Sequence, residues 1–183
     1  MTQPAAKAFL GSASARPAWY TWLAFGVYSA VLVWVVMLKF HTSFTDLGGR
    51  RSLNLVPFGA SGDLSGLGSR EIALNVLAFI PFGLLVYFIT GRRQPWQPAV
   101  VVVLTSVAFE TIQYATGWGA SDITDVITNV AGGLIGIGIA AGATRMLAQR
   151  AERAAVIALT GTLALLAIAI AVWLKVSGVH FRL

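Results

Sequence analysis

Five long apolar runs constrain this chain more than any other feature of its sequence. Each contains about twenty mostly apolar residues, the length that an α-helix needs to cross the hydrocarbon core of a bilayer. Only 11% of the chain is charged, against about 25% in soluble domains. We therefore predict an all-α, polytopic transmembrane helix bundle of about five spanning helices, which forms a single membrane domain over residues 1–183. The predicted spans are residues 18–38, 70–89, 98–116, 121–145 and 154–174.

The ionisable residues exclude several other classes of protein. The net charge of +6 is spread along the chain, without the basic stripe that nucleic acids bind, so we expect no nucleic-acid partner. The chain has no cysteine and only two histidines, His41 and His180. This composition excludes a thiolate or histidine-rich metal site. The basic residues instead fit loops that flank membrane helices.

The loops assign a side to each helix end. A long first loop, residues 39–69, separates the first two runs. Five spans place this loop, the third loop and the C-terminus on one side of the membrane, which we call the site side. The other side then holds seven Lys and Arg residues, and the site side holds six. Because positive loops favour the cytoplasm, we expect a cytoplasmic N-terminus and a site side that faces outward.

Polar residues interrupt three of the apolar runs near the site side. Residues three or four apart share one face of a helix, so the start of the second helix, the end of the third and the start of the fourth each carry a short polar face. Acids inside a membrane helix are costly and usually face protein or water. We therefore predict one polar cavity in one leaflet. Its walls are Glu71 with Asn75, Glu110 with Gln113, and Asp122 and Asp125 with Asn129.

The fourth run indicates where its polar face points. Asp125, Asn129, Gly132 and Gly136 follow one stripe at helical spacing, and two glycines four apart are typical of a close-packed helix interface in membranes. The acids should therefore lie on the packed side of this helix. Pro81 within the second run removes a backbone hydrogen bond and favours a kink.

The first loop is expected to contribute to the same cavity. The apolar residues around Pro57 can hold the segment against the helix ends, where Asn54 would offer an amide to the polar faces. Arg50, Arg51 and Arg70 can neutralise the carboxylates or bind a phosphate.

Each polar residue also has a purely structural interpretation. Ser121 suits the N-cap of the fourth helix, with Asp122 and Asp125 in a first turn where acids are favourable. Glu110 lies toward the C-terminal end of its helix, where an acid is unfavourable, and would need a partner such as Arg70. The amides can simply hydrogen-bond helix to helix.

With these residues in hand, the chain resembles the VanZ-like family of membrane proteins. The resemblance covers about residues 50–140 and rests on four motifs in a fixed order: "NLVPFG" (54–59), "REIALNVLAFIPFG" (70–83), "ETIQ" (110–113) and "SDITDVITNVAGG" (121–133). It implies a protein of the bacterial cytoplasmic membrane that acts at the cell envelope, since the family is named for a protein that lowers susceptibility to teicoplanin-type glycopeptides. Family members often carry an arginine where this chain has Gly119.

Three functions fit these residues. In the first, the cavity binds or remodels a membrane lipid, a lipid-linked envelope precursor or a lipoglycopeptide. In the second, an intramembrane enzyme acts on a lipid-linked substrate, with carboxylates as general acid and base or as ligands of Mg²⁺; no other cofactor is indicated. The third, a proton-coupled carrier, lacks polar residues leading to the opposite side. The candidate catalytic residues are Glu71, Glu110, Asp122 and Asp125, and the candidate ligand-binding residues are Asn54, Arg70, Asn75, Gln113 and Asn129.

Overall fold

The computed structural model confirms an all-α bundle. It describes residues 16–38, 53–58, 66–90, 96–117, 121–147 and 150–176, with residues 37–38, 66–70 and 164–176 described as backbone only. Four of its helices are long and apolar enough to cross a membrane, and that the fifth also crosses stays a prediction. The elements are α1 (Trp19–Leu38), β1 (Leu53–Asn54), α2 (Gly66–Ile89), α3 (Gln97–Thr116), β2 (Ser121–Asp122), α4 (Ile123–Leu147) and α5 (Arg150–Val176).

Helices α2 and α4 pack with their backbones in contact. A Cβ atom added at Gly132 would overlap the carbonyl oxygen of Val76, and one added at Gly136 would overlap that of Ile80. On α2, a Cβ at Gly83 would overlap the carbonyl oxygen of Gly133. The predicted close-packed glycine face is therefore confirmed, and we call this α2–α4 contact the glycine seam.

Large side chains fill the space on the other faces of α2. Phe79, Phe82 and Leu85 are buried there, and the ring of Phe79 lies edge-on against those of Phe82 and Phe109. Aromatic pairs favour such edge-to-face contacts. The Phe79–Phe109 pair joins α2 to α3, and the buried face of α1 belongs to the same core cluster.

Pro81 lies inside α2 without ending it. A proline removes one N–H from the helical ladder and disturbs the carbonyls of the preceding turn. One of these, the carbonyl of Ala78, accepts a hydrogen bond of 2.6 Å from the Tyr28 hydroxyl of α1. The carbonyl that Pro81 leaves without its helical donor is that of Leu77, so the Tyr28 hydroxyl binds the carbonyl next to the freed one.

Two short strands connect loops that are far apart in sequence. β1 pairs in parallel with β2, with Leu53 opposite Ser121 and Asn54 opposite Asp122. The first loop therefore does return to the helix ends, as predicted. The prediction that apolar residues hold it there is wrong, because Leu55, Val56 and Phe58 are exposed. Backbone pairing and polar contacts hold the segment instead.

At the opposite end of the bundle, a carboxylate joins α1 to α5. Glu152 Oε1 accepts a hydrogen bond of 2.9 Å from the Ala18 N–H and one of 2.6 Å from the Thr21 hydroxyl. The N–H groups at a helix start have no partner within the helix. Glu152 supplies one, and thereby fixes the starts of the two helices side by side.

Candidate functional site

The start of α4 organises the site. Asp122 Oδ1 accepts a hydrogen bond of 2.8 Å from the Thr124 N–H, the contact that an N-cap residue makes with the first turn of a helix. The prediction that Ser121 is the cap is therefore wrong by one residue. Ser121 and Asp122 both belong to β2, and α4 begins at Ile123, so the residue that directly precedes the helix is Asp122.

Glu110 reaches the same helix end from α3. Its carboxylate is buried, with 5% of the residue exposed, and its Oε2 accepts a hydrogen bond of 3.0 Å from the Asp122 N–H. That N–H belongs to the positive end of the α4 dipole, where an anion is stabilised. An acid near the unfavourable end of its own helix is thus placed at the favourable end of the next.

The turn between α3 and α4 makes this approach possible. Gly117 ends α3 in the left-handed region, at φ 68°, which glycine adopts without the steric cost that a Cβ brings. Its N–H is directed to the carbonyls of Gln113 and Tyr114. The chain can therefore reverse within a few residues and bring Asp122 back beside Glu110.

The first loop is fastened to the same point by side chains. Asn54 Nδ2 donates to Asp122 Oδ2 over 3.0 Å, and Asn54 Oδ1 accepts from the Val56 N–H over 3.1 Å. The Phe58 N–H donates to the Thr124 hydroxyl over 2.9 Å. Phe58 itself has a positive φ of 56°, which is uncommon for a bulky residue. We call Asn54, Glu110, Asp122 and Thr124 the loop latch.

Asn75 joins α2 to α4 one turn deeper. Its Nδ2 donates to Asp125 Oδ1 over 2.6 Å and lies 3.5 Å from the Thr128 hydroxyl oxygen. Asn75 is buried. Glu71 precedes it by one turn on the same face of α2 and is half-buried. The polar faces of α2 and α4 therefore meet as predicted.

The remaining two amides lie among buried side chains. Gln113 Nε2 donates to the Val36 carbonyl over 3.0 Å, which provides a partner for a carbonyl in the last turn of α1. Gln113 therefore binds α1, whereas Glu110 binds the start of α4. Among the described residues, the side-chain oxygens of Gln113 and Asn129 have no hydrogen-bond partner.

Sequence reasoning missed two threonines of the site. Thr124 and Thr128 lie one turn apart on the buried face of α4. The Thr124 hydroxyl accepts a hydrogen bond from the Phe58 N–H, and the Thr128 hydroxyl accepts one from the side-chain amide of Asn75. Their helical spacing was visible in the sequence. Threonine is common in membrane helices, however, and usually bonds to its own backbone, as Thr128 does with the Thr124 carbonyl over 2.9 Å.

Some predicted residues cannot be placed. Arg50, Arg51 and Gly119 lie outside the described residues, and Arg70 belongs to α2 with its backbone alone described. Among the residues that are described, no group of three or more His, Asp or Glu side chains has the arrangement of a metal site. The carboxylate oxygens of the loop latch accept hydrogen bonds from protein N–H groups instead.

An apolar surface adjoins the loop latch. Leu53, Leu55, Val56 and Phe58 are between 49% and 66% exposed, although their neighbour Asn54 is bound to Asp122. We call residues 53–58 the apolar tip. A single exposed apolar residue needs no explanation, whereas a contiguous group on one side of a site is typical of a binding surface.

Comparison with known proteins places the site within a recognised family. The family model described as VanZ/LLP1 matches residues 25–149, a span that includes the loop latch, the apolar tip and the glycine seam. Protein VanZ of Enterococcus faecium is 40% identical over 114 residues, which are 61% of this chain and 67% of that protein. No solved structure gives a significant match.

Proposed function

The chain belongs to the VanZ/LLP1 family, and on this premise we propose that it binds an amphiphilic molecule of the cell envelope and thereby lowers susceptibility to teicoplanin-type glycopeptides. The molecule is a membrane lipid, a lipid-linked envelope precursor or the lipoglycopeptide itself. All three share a polar head and an apolar tail. We propose that the protein acts in the cytoplasmic membrane of a bacterium, with its N-terminus in the cytoplasm and its site side outward.

One observation carries this proposal, namely that the apolar tip is held against a buried polar cluster. Asn54 joins the two, since its side chain bonds Asp122 while Leu53 and Leu55 on either side of it are exposed. An amphiphile at a membrane surface offers the matching pair of groups. Its tail would contact the tip, and its head would lie near the carboxylates and amides at the helix ends.

The hydrogen bonds of the acids favour binding over catalysis. Glu110 accepts from the Asp122 N–H, and Asp125 accepts from Asn75. An acid that supports a loop in this way is suited to positioning a binding surface. We therefore assign Glu110 and Asp122 to holding the tip in place and Asp125 to joining α4 to α2 beneath it. Leu55, Val56 and Phe58 are assigned to contact with the tail.

Teicoplanin susceptibility in a sensitive bacterium expressing this protein tests the proposal. Wild type should protect, and Asn54→Ala should reduce protection because the tip loses its bond to Asp122. Glu110→Gln and Asp125→Asn should reduce it less, since each keeps an oxygen that can accept. All variants are compared at equal membrane levels.

A matched control separates the site from general effects of removing a charge. Glu152→Gln makes the same isosteric change at the opposite end of the bundle, and it should protect like wild type. Protection that is equal in Asn54→Ala and wild type would contradict a role for the latch. A chelator that abolishes protection would favour the metal-dependent enzyme instead.

The tip is tested with a double substitution, Leu55→Ser with Val56→Ser. It should abolish most of the protection without lowering the amount of protein in the membrane. Met146→Ser is the control, because Met146 is a strongly exposed apolar residue at the end of α4, away from the site. Equal protection by wild type and the double variant would contradict contact between the tip and a tail.

A further inference from the structure

A second apolar surface lies between α1 and α5, outside the site described above. The two helices border a groove of about 420 Å³, which lies within the range of about 300–1,000 Å³ that ligand sites occupy. Its walls are almost entirely apolar. They include Leu23, Ala24, Val27, Val156, Ile157 and Leu163.

The polar contacts that join α1 to α5 lie at one end of the pair, and the groove lies beyond them. Glu152 binds the Ala18 N–H and the Thr21 hydroxyl, and these contacts fix the starts of both helices. Beyond them, Ala24 faces the groove from α1 and Thr160 from α5. Small side chains at these positions leave the space between the helices unfilled.

The mouth of the groove is basic and aromatic. Arg153 and Tyr20 line it, together with Trp19, which is 75% exposed. Arg16 and Arg150 are exposed at the same helix ends. The neighbouring acid, Glu152, already accepts two hydrogen bonds from α1. Trp and Tyr are typical of the level of lipid headgroups, so the mouth combines interfacial position with positive charge.

We propose that this groove binds an anionic phospholipid, with one acyl chain between α1 and α5 and the phosphate at Arg153. The apolar walls match the chain, and the guanidinium group matches the phosphate oxygens. The three arginines at this end favour an anionic headgroup over a zwitterionic one. The site lies on the side of the membrane opposite the loop latch, so it does not depend on the function proposed above.

Native mass spectrometry of the purified protein tests this site, with phosphatidylglycerol titrated against phosphatidylcholine. Wild type should retain phosphatidylglycerol in preference. Arg153→Gln should weaken its binding about tenfold, which is about 1.4 kcal/mol, because it removes a charge-assisted hydrogen bond to the phosphate. Arg153→Lys keeps a charge and should lose less. Arg145→Gln is the matched control, because Arg145 is exposed at the end of α4 on the same side and does not line the groove.

Thr160→Trp provides a test that keeps every charge. Thr160 is exposed, and its hydroxyl donates to the carbonyls of Val156 and Ile157 in its own helix. The larger side chain should fill the groove and remove most phosphatidylglycerol binding. Glycerol phosphate, which has no acyl chain, should not compete.

Three results would overturn the proposal. Equal losses in Arg153→Gln and Arg145→Gln would mean that binding depends on overall charge. Competition by glycerol phosphate would indicate a site for free phosphate. Binding that is unchanged by Thr160→Trp would mean that another part of this chain, or a second copy, covers the groove.

Discussion

The glycine seam and the α1–α5 pair show two ways of joining helices in one bundle. In the seam, Gly132 and Gly136 bring α4 against the backbone of α2. In the pair, α1 and α5 meet through Glu152 at one end and border a groove beyond it. Association of helices in lipid depends on packing and interhelical hydrogen bonds rather than on the hydrophobic effect. Close packing therefore makes the α2–α4 seam rigid. The α1–α5 pair lacks such packing along the groove, which leaves space for the proposed lipid.

This contrast also bears on where the function lies. The seam fixes the start of α4, and the loop latch is built on that start through Asp122 and Thr124. A site on a rigid element keeps its geometry. The α1–α5 pair contributes no residue to the latch, so a change there should leave the latch intact.

The largest expected effect comes from placing a side chain in the seam. Gly136→Val would direct its Cβ into the Ile80 carbonyl and the Leu84 backbone nitrogen, so α2 and α4 would have to separate. Overpacking costs about 1–3 kcal/mol where side chains can move, and backbone cannot move as easily. We expect loss of folded protein, measured as a smaller monodisperse peak when the detergent-solubilised protein is run on size-exclusion chromatography.

Gly138→Val is the control for that experiment. Gly138 lies on the same helix, and a Cβ there would meet no atom within 4 Å. Its profile should match wild type. Equal damage from both substitutions would mean that the helix, rather than the seam, is sensitive to valine.

The seam, the helices and their inward faces could be predicted from sequence because each depends on local spacing. Asp125, Asn129 and Gly132 fall on one stripe whatever surrounds them, and the stripe determines which side packs. All five predicted helices are found, with ends that differ by four residues or fewer. The outward orientation, the extent of the domain and the roles of the polar residues remain predictions.

Contacts between distant segments could not be predicted in the same way. The pairing of Asn54 with Asp122 joins residues 68 positions apart, and two-residue strands leave almost no periodic signal. The start of α4 was likewise misplaced, because the helix begins at Ile123 and its cap is Asp122 rather than Ser121. Likewise, Glu110 and Gln113 share a helix face, but small differences in direction send one to α4 and the other to α1.

A smaller effect is expected from Asn75→Ala, which removes the polar bond that accompanies the seam. Asn75 is buried and donates to Asp125 over 2.6 Å, so the substitution leaves that carboxylate with one donor fewer. Interhelical hydrogen bonds in membranes contribute about 0.6–2 kcal/mol, and we expect a loss near the upper end. Unfolding in mixed micelles measures it, and a stability equal to that of wild type would contradict the assigned bond.

Tyr28→Phe should have a still smaller effect. It removes the hydroxyl that bonds the Ala78 carbonyl near Pro81 and leaves the ring in place. The expected loss is about 0.6 kcal/mol in the same unfolding assay. A loss of several kcal/mol would mean that α2 depends on this bond to remain helical at the proline.

The smallest effect is expected in the α1–α5 pair. Gly161 on α5 has open space where a Cβ would stand, and alanine favours a helix over glycine by about 0.5–1 kcal/mol. Gly161→Ala should therefore leave stability unchanged or raise it slightly. A clear destabilisation would show that α5 packs as closely as the helices of the glycine seam, and would contradict the difference drawn between the seam and the α1–α5 pair.

The most direct test of the account is a disulfide between the first and third loops. Neighbouring strands lie about 4.7–4.9 Å apart, within the range of about 4.4–6.8 Å between Cα atoms that disulfides span. The chain has no native cysteine, so Leu53→Cys with Ser121→Cys introduces a unique pair at opposed positions. In membranes treated with an oxidant, we expect a disulfide to form rapidly in this variant and far more slowly in Val56→Cys with Ser121→Cys. Teicoplanin protection should survive the cross-link. Equal cross-linking in the two variants would contradict a latched first loop.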